Sequence, residues 1–157
     1  MNIKTIVEED LSNYKLPSML IGFPNCSFKC DNENGTKLCQ NWSLTLETNI
    51  DISYEDIVQK YMSNPFMNAF VFGGLEPFDS YMDMFKLINH IRKYTQDNIV
   101  IYTGYDEDEI DGFIKEIKEY QNIIVKFGRF RPNQDKHYDE LLGIELASDN
   151  QYAIKIS

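Results

Sequence analysis

The stretch AFVFGGLEP, Ala69 to Pro77, decides how this chain is read. Its apolar run is too short for a helix and consists mostly of aromatic and β-branched residues, so it predicts a buried strand that Gly73 and Gly74 end. Continuous apolar strands belong to sheets covered by helices, so amphipathic segments should flank it. They do. Upstream, Ser53 and Asp56 resemble an N-terminal capping box, and Ile57, Val58, Tyr61 and Met62 recur at helical spacing before Pro65. Downstream, Met84, Phe85, Ile88 and Ile91 share one face of a helix expected from Tyr81 to Tyr94.

The same alternation extends in both directions. SMLIGF, Ser18 to Phe23, predicts a strand stopped by Pro24, and NIVIYT, Asn98 to Thr103, one stopped by Gly104. Ile110, Phe113, Ile114, Ile117 and Tyr120 mark another helix, and NIIVKF (Asn122–Phe127) and YAIKI (Tyr152–Ile156) read as late strands. Residues 2–16 are weakly patterned, with a short strand expected at Ile3–Val7. Alternating strands and helices imply an α/β fold with a mostly parallel sheet and right-handed crossovers. In such folds ligands bind outside the C-terminal ends of the strands, whether the sheet is open or rolled into a barrel. Every cysteine of the chain, Gly73-Gly74 and Gly104 directly follow strands, so they should converge on one sheet edge.

With 157 residues, no internal repeat and no linker-like tract, the chain is expected to form one domain, residues 1–157. A composition of 43% hydrophobic and 13% aromatic residues is that of a chain able to fold alone. The formal net charge of -10 argues against nucleic acid as a partner, because affinity for phosphate backbones comes largely from Lys and Arg. The apolar runs fall well short of the roughly 20 residues of a membrane span, and the start MNIKTIVEED has no secretory apolar region. A cytoplasmic location without membrane contact is expected.

All three cysteines, Cys26, Cys30 and Cys39, lie in NCSFKCDNENGTKLCQNW, Asn25 to Trp42. An odd count without an export signal speaks against a disulfide framework. Thiolates are soft ligands for zinc, copper(I) or iron–sulfur clusters. A closed structural zinc site would have to recruit His90, His137 or a second chain as fourth ligand. A cubane takes one thiolate per iron, so three thiolates leave one iron open to an exogenous ligand. Incidental thiols or a redox pair with a bystander form the third alternative, although these cysteines sit in a polar loop and not in an apolar run. Of the three, the iron–sulfur site is favoured.

Together NCSFKC…LCQNW, VFGGLEPFDS, IYTGYDEDEI, IIVKFGRF and LASDNQYAIKI resemble the activating proteins of anaerobic (class III) ribonucleotide reductase, small members of the radical S-adenosylmethionine (SAM) superfamily. The resemblance runs from about residue 18 to the end, with the blocks in the family's order. It implies a [4Fe-4S] cluster on Cys26, Cys30 and Cys39, although eight residues separate Cys30 from Cys39 where the family's CxxxCxxC has two. The extra residues are polar and contain the turn signal Asn34-Gly35. Two doublings of loop length cost about 1.2 kcal/mol of closure entropy, small beside the order of 10 kcal/mol of a structural zinc site. Cys39 is taken as third ligand because CQN resembles the family's Cys-aromatic-Asn, Asn41 matching. Leu38 stands where the superfamily carries an aromatic against the adenine, and Gln40 replaces the usual Tyr or Phe.

GGLEP looks like the superfamily's glycine-rich SAM motif with Leu75 inserted, and YTGY, Tyr102 to Tyr105, like the family's block after the next strand. The resemblance thereby implies SAM contacts from Leu38, Gln40, Asn41, Gly73, Gly74, Glu76, Pro77, Thr103 and Gly104. It implies an oxidoreductase in which the cluster passes an electron to SAM, the resulting 5′-deoxyadenosyl radical abstracts hydrogen from a glycine of the reductase, and no protein side chain serves as catalytic acid or base. It also implies an external electron donor such as flavodoxin or ferredoxin. A closed eight-stranded barrel takes about 250 residues, so a partial, open (β/α) barrel of about five or six strands, able to admit a loop of another protein, is expected. Two other functions stay open: a radical SAM enzyme acting on another glycyl radical enzyme or a small molecule, and a non-catalytic zinc-binding module. The carboxylates of Asp106–Asp111 are expected to favour a helix dipole, Arg129 and Arg131 to be solvated, His137 to lie on the surface, and the methionines mostly to fill the core.

Overall fold

A computed structural model describes residues 1–157. In chain order its elements are β1 (Asn2–Ile3), β2 (Thr5–Asp10), β3 (Ser18–Phe23), α1 (Lys29–Asn34), β4 (Ile50–Asp51), α2 (Tyr54–Met62), β5 (Ala69–Gly74), α3 (Tyr81–Ile91), β6 (Asn98–Tyr102), α4 (Asp111–Ile117), β7 (Ile123–Phe127), β8 (His137–Asp139), β9 (Ile144–Leu146) and β10 (Tyr152–Lys155). Short 3₁₀ turns occupy Trp42–Leu46, Pro77–Ser80 and Glu107–Glu109.

Six strands form one sheet in the order β10-β7-β6-β5-β3-β2. The inner four are parallel, pairing Ser18 with Ala69, Ala69 with Asn98 and Ile99 with Ile123. Both edge strands are antiparallel, β2 to β3 and β10 to β7. The sheet is therefore mostly parallel and not closed. The expected strand at Ile3–Val7 is two strands: β1 pairs with β4 in a separate ribbon, and β2 joins the main sheet. His137 lies, half-buried, in a β8–β9 ribbon that no sequence pattern announced.

Side-chain alternation along the inner strands divides the core in two. Met19, Ile21, Phe23, Phe70, Phe72, Ile99, Ile101, Ile123, Val125 and Phe127 pack against α2, α3 and α4 in one large cluster. Successive strand residues point to opposite faces, so Ala69, Val71, Val100 and Ile124 meet Tyr14, Leu142 and Leu146 on the other side. Those partners belong to irregular segments and the β8–β9 ribbon, and no α-helix covers this face. The inner strands also follow one another in space as in sequence. A chain that winds in one direction keeps its crossover helices on one face and leaves the opposite face free for a site.

Helix boundaries follow local chemistry. Ser53 Oγ accepts the Asp56 amide at 3.0 Å and starts α2, as its sequence signature predicts. Met62, expected on the apolar face, is the last residue of α2 and is exposed. Asp106 and Glu109 form a reciprocal capping box ahead of α4. Met19, Met67 and Met84 are buried while Met82 is exposed. No helix is long and apolar enough to cross a membrane.

Candidate metal and ligand site

The parallel register brings the β3, β5 and β6 termini to one edge, where their loops are tied together by short polar contacts. Leu75 N donates to Phe23 O at 3.2 Å and Glu76 N to Asn25 O at 2.7 Å, joining the loops after β5 and β3. Asn41 Nδ2 donates to Gly74 O at 2.6 Å. Asp79 accepts the Ser27 amide at 2.5 Å and the Tyr105 hydroxyl at 2.6 Å, linking the cysteine loop to the loop after β6.

Glu76 is the centre of this junction. It is 6% exposed, and its carboxylate accepts from the Thr103 hydroxyl at 2.8 Å, the Gly104 amide at 2.9 Å and the Phe78 amide at 3.2 Å. Burial pushes its pKa up to about 7 despite the three donors, which lower it. Lys126 on β7 is also buried; its Nζ donates to Gly128 O at 2.9 Å. Burial pushes its pKa down to about 8, against the attraction of Glu76.

These loops surround a cavity of about 360 Å³, within the usual range for small-molecule sites. Cys26, Cys30 and Cys39 all line it, as do Gln40, Asn41, Gly73, Gly74, Glu76, Thr103 and Gly104. Leu38 and Pro77, expected among the contacts, are not part of the lining. Leu38 instead commits its amide to Asp31, and Pro77 is buried at the start of a 3₁₀ turn. Lys126, Tyr102 and Gln151 line the cavity without having been singled out. A charged residue inside the apolar strand NIIVKF was the available signal for Lys126.

The thiols are free and half-buried. Burial pushes the Cys26 thiol up to about 12 and raises Cys30 and Cys39 as well, so they are not activated nucleophiles. Phe28 adopts a left-handed backbone with φ 53° and ψ 38°, unusual for a bulky side chain, and donates its amide to Cys26 Sγ at 3.3 Å. Its ring lies 5.4 Å from that of Trp42, closing the cysteine loop on itself.

Arg129 corrects its expected place in solvent. It is 5% exposed, with Nη2 2.6 Å from Glu109, Nη1 3.4 Å from Asp106 and Nε 3.1 Å from Glu33. It lowers the Cys30 pKa, against the larger effect of burial. Lys29 shares Glu109 at 2.9 Å, so the acidic run after β6 neutralises cations from the cysteine loop and from the loop after β7.

Residues 19–153 match the family described as 4Fe-4S single cluster domain. The chain belongs to that family. The 4Fe-4S single cluster domain is found in radical SAM activases. No curated protein and no solved structure matches the chain at a significant level.

The side chains suit such a cluster. Three soft thiols border one cavity. A [4Fe-4S] cluster takes one thiolate per iron, and three thiols with an open place beside them are the donor set for a cluster with one open iron. Beside them, a Cβ on Gly73 would meet no neighbour closer than Tyr102 Cβ at 3.8 Å, leaving room in the cavity that the chain does not fill.

Two neighbouring glycines consequently have different roles. Gly73→Ala should leave the midpoint of thermal unfolding nearly unchanged, because a Cβ there meets no atom closer than 3.8 Å. Gly74 has φ 80°, and a Cβ there would lie 2.6 Å from Gly22 Cα, so Gly74→Ala should destabilise the fold by about 1–3 kcal/mol in denaturant titration.

Glu76 makes a pH prediction for the metal-free chain. Its folded pKa lies above the ordinary carboxylate value, so the folded state binds more protons, and stability should fall as pH rises from about 4.5 to about 7. The loss is on the order of 2–3 kcal/mol, and Glu76→Gln should flatten this slope in urea titrations across that range.

Proposed function

We propose that this chain is a radical SAM activase that reductively cleaves SAM at a [4Fe-4S] cluster and generates a glycyl radical on a partner anaerobic ribonucleotide reductase. The observation that supports it is the convergence of all three cysteines with the glycine turns after β5 and β6 on one cavity, in a chain of the 4Fe-4S single cluster family. Cys26, Cys30 and Cys39 would hold the cluster, leaving one iron without a protein ligand. When bound, the cluster supplies the electron for reductive cleavage of a sulfonium, which converts SAM to methionine and a carbon-centred radical.

The chain's own residues bind, orient and shield. Lys126 brings an ammonium to the cavity wall, complementary to the carboxylate of an amino acid. Gly73 leaves room for close backbone approach, and Gln40 and Asn41 line the cavity on the cysteine side. Glu76 holds the loops after β5 and β6 in mutual register through Thr103 and Gly104. The buried floor of the cavity, Val71 and Thr103 among it, would limit water around a reactive radical, and no acid or base is required of the protein. The sheet is not closed, and this leaves a side by which a loop of a macromolecular substrate can approach. An external donor such as flavodoxin or ferredoxin would supply the electron.

Anaerobically reconstituted protein should contain about four irons per chain. With reductant and SAM it should form 5′-deoxyadenosine, and Cys26→Ser, Cys30→Ser and Cys39→Ser should each abolish product. Added anaerobic ribonucleotide reductase should acquire a glycyl radical doublet in its electron paramagnetic resonance spectrum. Stoichiometric zinc without iron would refute the cluster; 5′-deoxyadenosine without a radical on the reductase would move the target elsewhere.

A further inference from the structure

The unusual distance between the second and third cysteines creates a problem that the structure answers. Eight residues separate Cys30 from Cys39, and a flexible loop of that length would not return Cys39 to a fixed point. The excursion is folded. α1 carries the chain away, Gly35 ends it with φ 66°, and Asn34 Nδ2 donates to Cys30 O at 2.8 Å. On the way back a single atom, Asp31 Oδ1, accepts the amides of Leu38 at 2.8 Å and Cys39 at 2.9 Å. Further contacts hold the excursion outside this link: Glu33 lies against Arg129, and Lys37 Nζ sits 4.0 Å from the centroid of the Trp42 ring.

We propose that Asp31 is a positioning residue for the third ligand: by joining the first turn of α1 to the Leu38–Cys39 backbone, it holds Cys39 beside Cys26 and Cys30. This inference rests on the proposed cluster site. Asp31 is not part of the cavity lining. It replaces the covalent shortness of a two-residue spacing with two hydrogen bonds across the mouth of the loop. The requirement is an acceptor oxygen at Oδ1 and not a charge, so asparagine can meet it and alanine cannot.

The test compares the full chain with Asp31→Ala and Asp31→Asn. In metal-free protein, hydrogen exchange at Leu38 and Cys39 should accelerate about tenfold in Asp31→Ala, the loss expected when a backbone amide loses its hydrogen bond. Iron should be extracted by a chelator from the reconstituted Asp31→Ala protein about tenfold faster, with thermal unfolding little changed. Asp31→Asn should restore both rates to near the wild-type values. Wild-type exchange in Asp31→Ala, or faster exchange with wild-type iron extraction, would overturn the inference. So would Asp31→Asn failing alongside Asp31→Ala, since the charge would then be the requirement. Wild-type protein that takes up no iron–sulfur cluster would instead refute the cluster site, and the inference would fall with it.

Discussion

The in-register pairing of β3 with β5, from Ser18–Ala69 to Phe23–Gly74, is the constraint on which the site rests. Its last pair brings the cysteine loop and the Gly73-Gly74 turn out of the sheet side by side. Gly74 comes so close to Gly22 that no side chain fits between them. From that junction the loops can exchange short hydrogen bonds, Asn41 to Gly74 and Glu76 to Asn25, without long spanning segments. Parallel pairing of β6 then adds Thr103 and Gly104 to the same edge, where the Glu76 carboxylate receives them.

Electrostatics within the site run against those of the whole. A chain of net charge -10 buries Lys126 and Arg129 next to its cysteines, and spends Glu33, Asp106 and Glu109 to hold Arg129 in place. Arg129 is buried while Glu33 and Asp106 stay about half-exposed, so the pairs add modest stability, but removing the carboxylates would leave a buried charge uncompensated. The network therefore fixes the geometry of the loops more than it strengthens the fold. Together with Lys29 it joins the cysteine loop, the acidic run after β6 and the loop after β7.

Local signals in the sequence were reliable where one physical effect dominates. β5 and β6 were legible because uninterrupted apolar runs have few alternatives, and α2 because Ser53 caps it. The convergence of cysteines and glycines followed from parallel topology alone. Arg129 was misplaced in solvent because its partners come from segments 20 to 96 positions away, Asp106, Glu109 and Glu33 among them, and no window of sequence shows such pairing. Lys126 was passed over because it sits in a strand read for its apolar residues. Leu38 was expected at the ligand, whereas the folded excursion turns its backbone to Asp31.

What the residues determined unaided was the alternation of buried strands with amphipathic helices, the soft-ligand character of the cysteine loop, and the sheet edge at which that loop had to emerge. These depend on periodicity, side-chain chemistry and chain direction, which are local properties. Tertiary structure alone decided that both edge strands run antiparallel, that one face of the sheet has no α-helix over it, and that the Leu38 and Cys39 amides meet one oxygen of Asp31. Each of these depends on which groups meet once the chain has folded back on itself, and that is set when the whole chain packs.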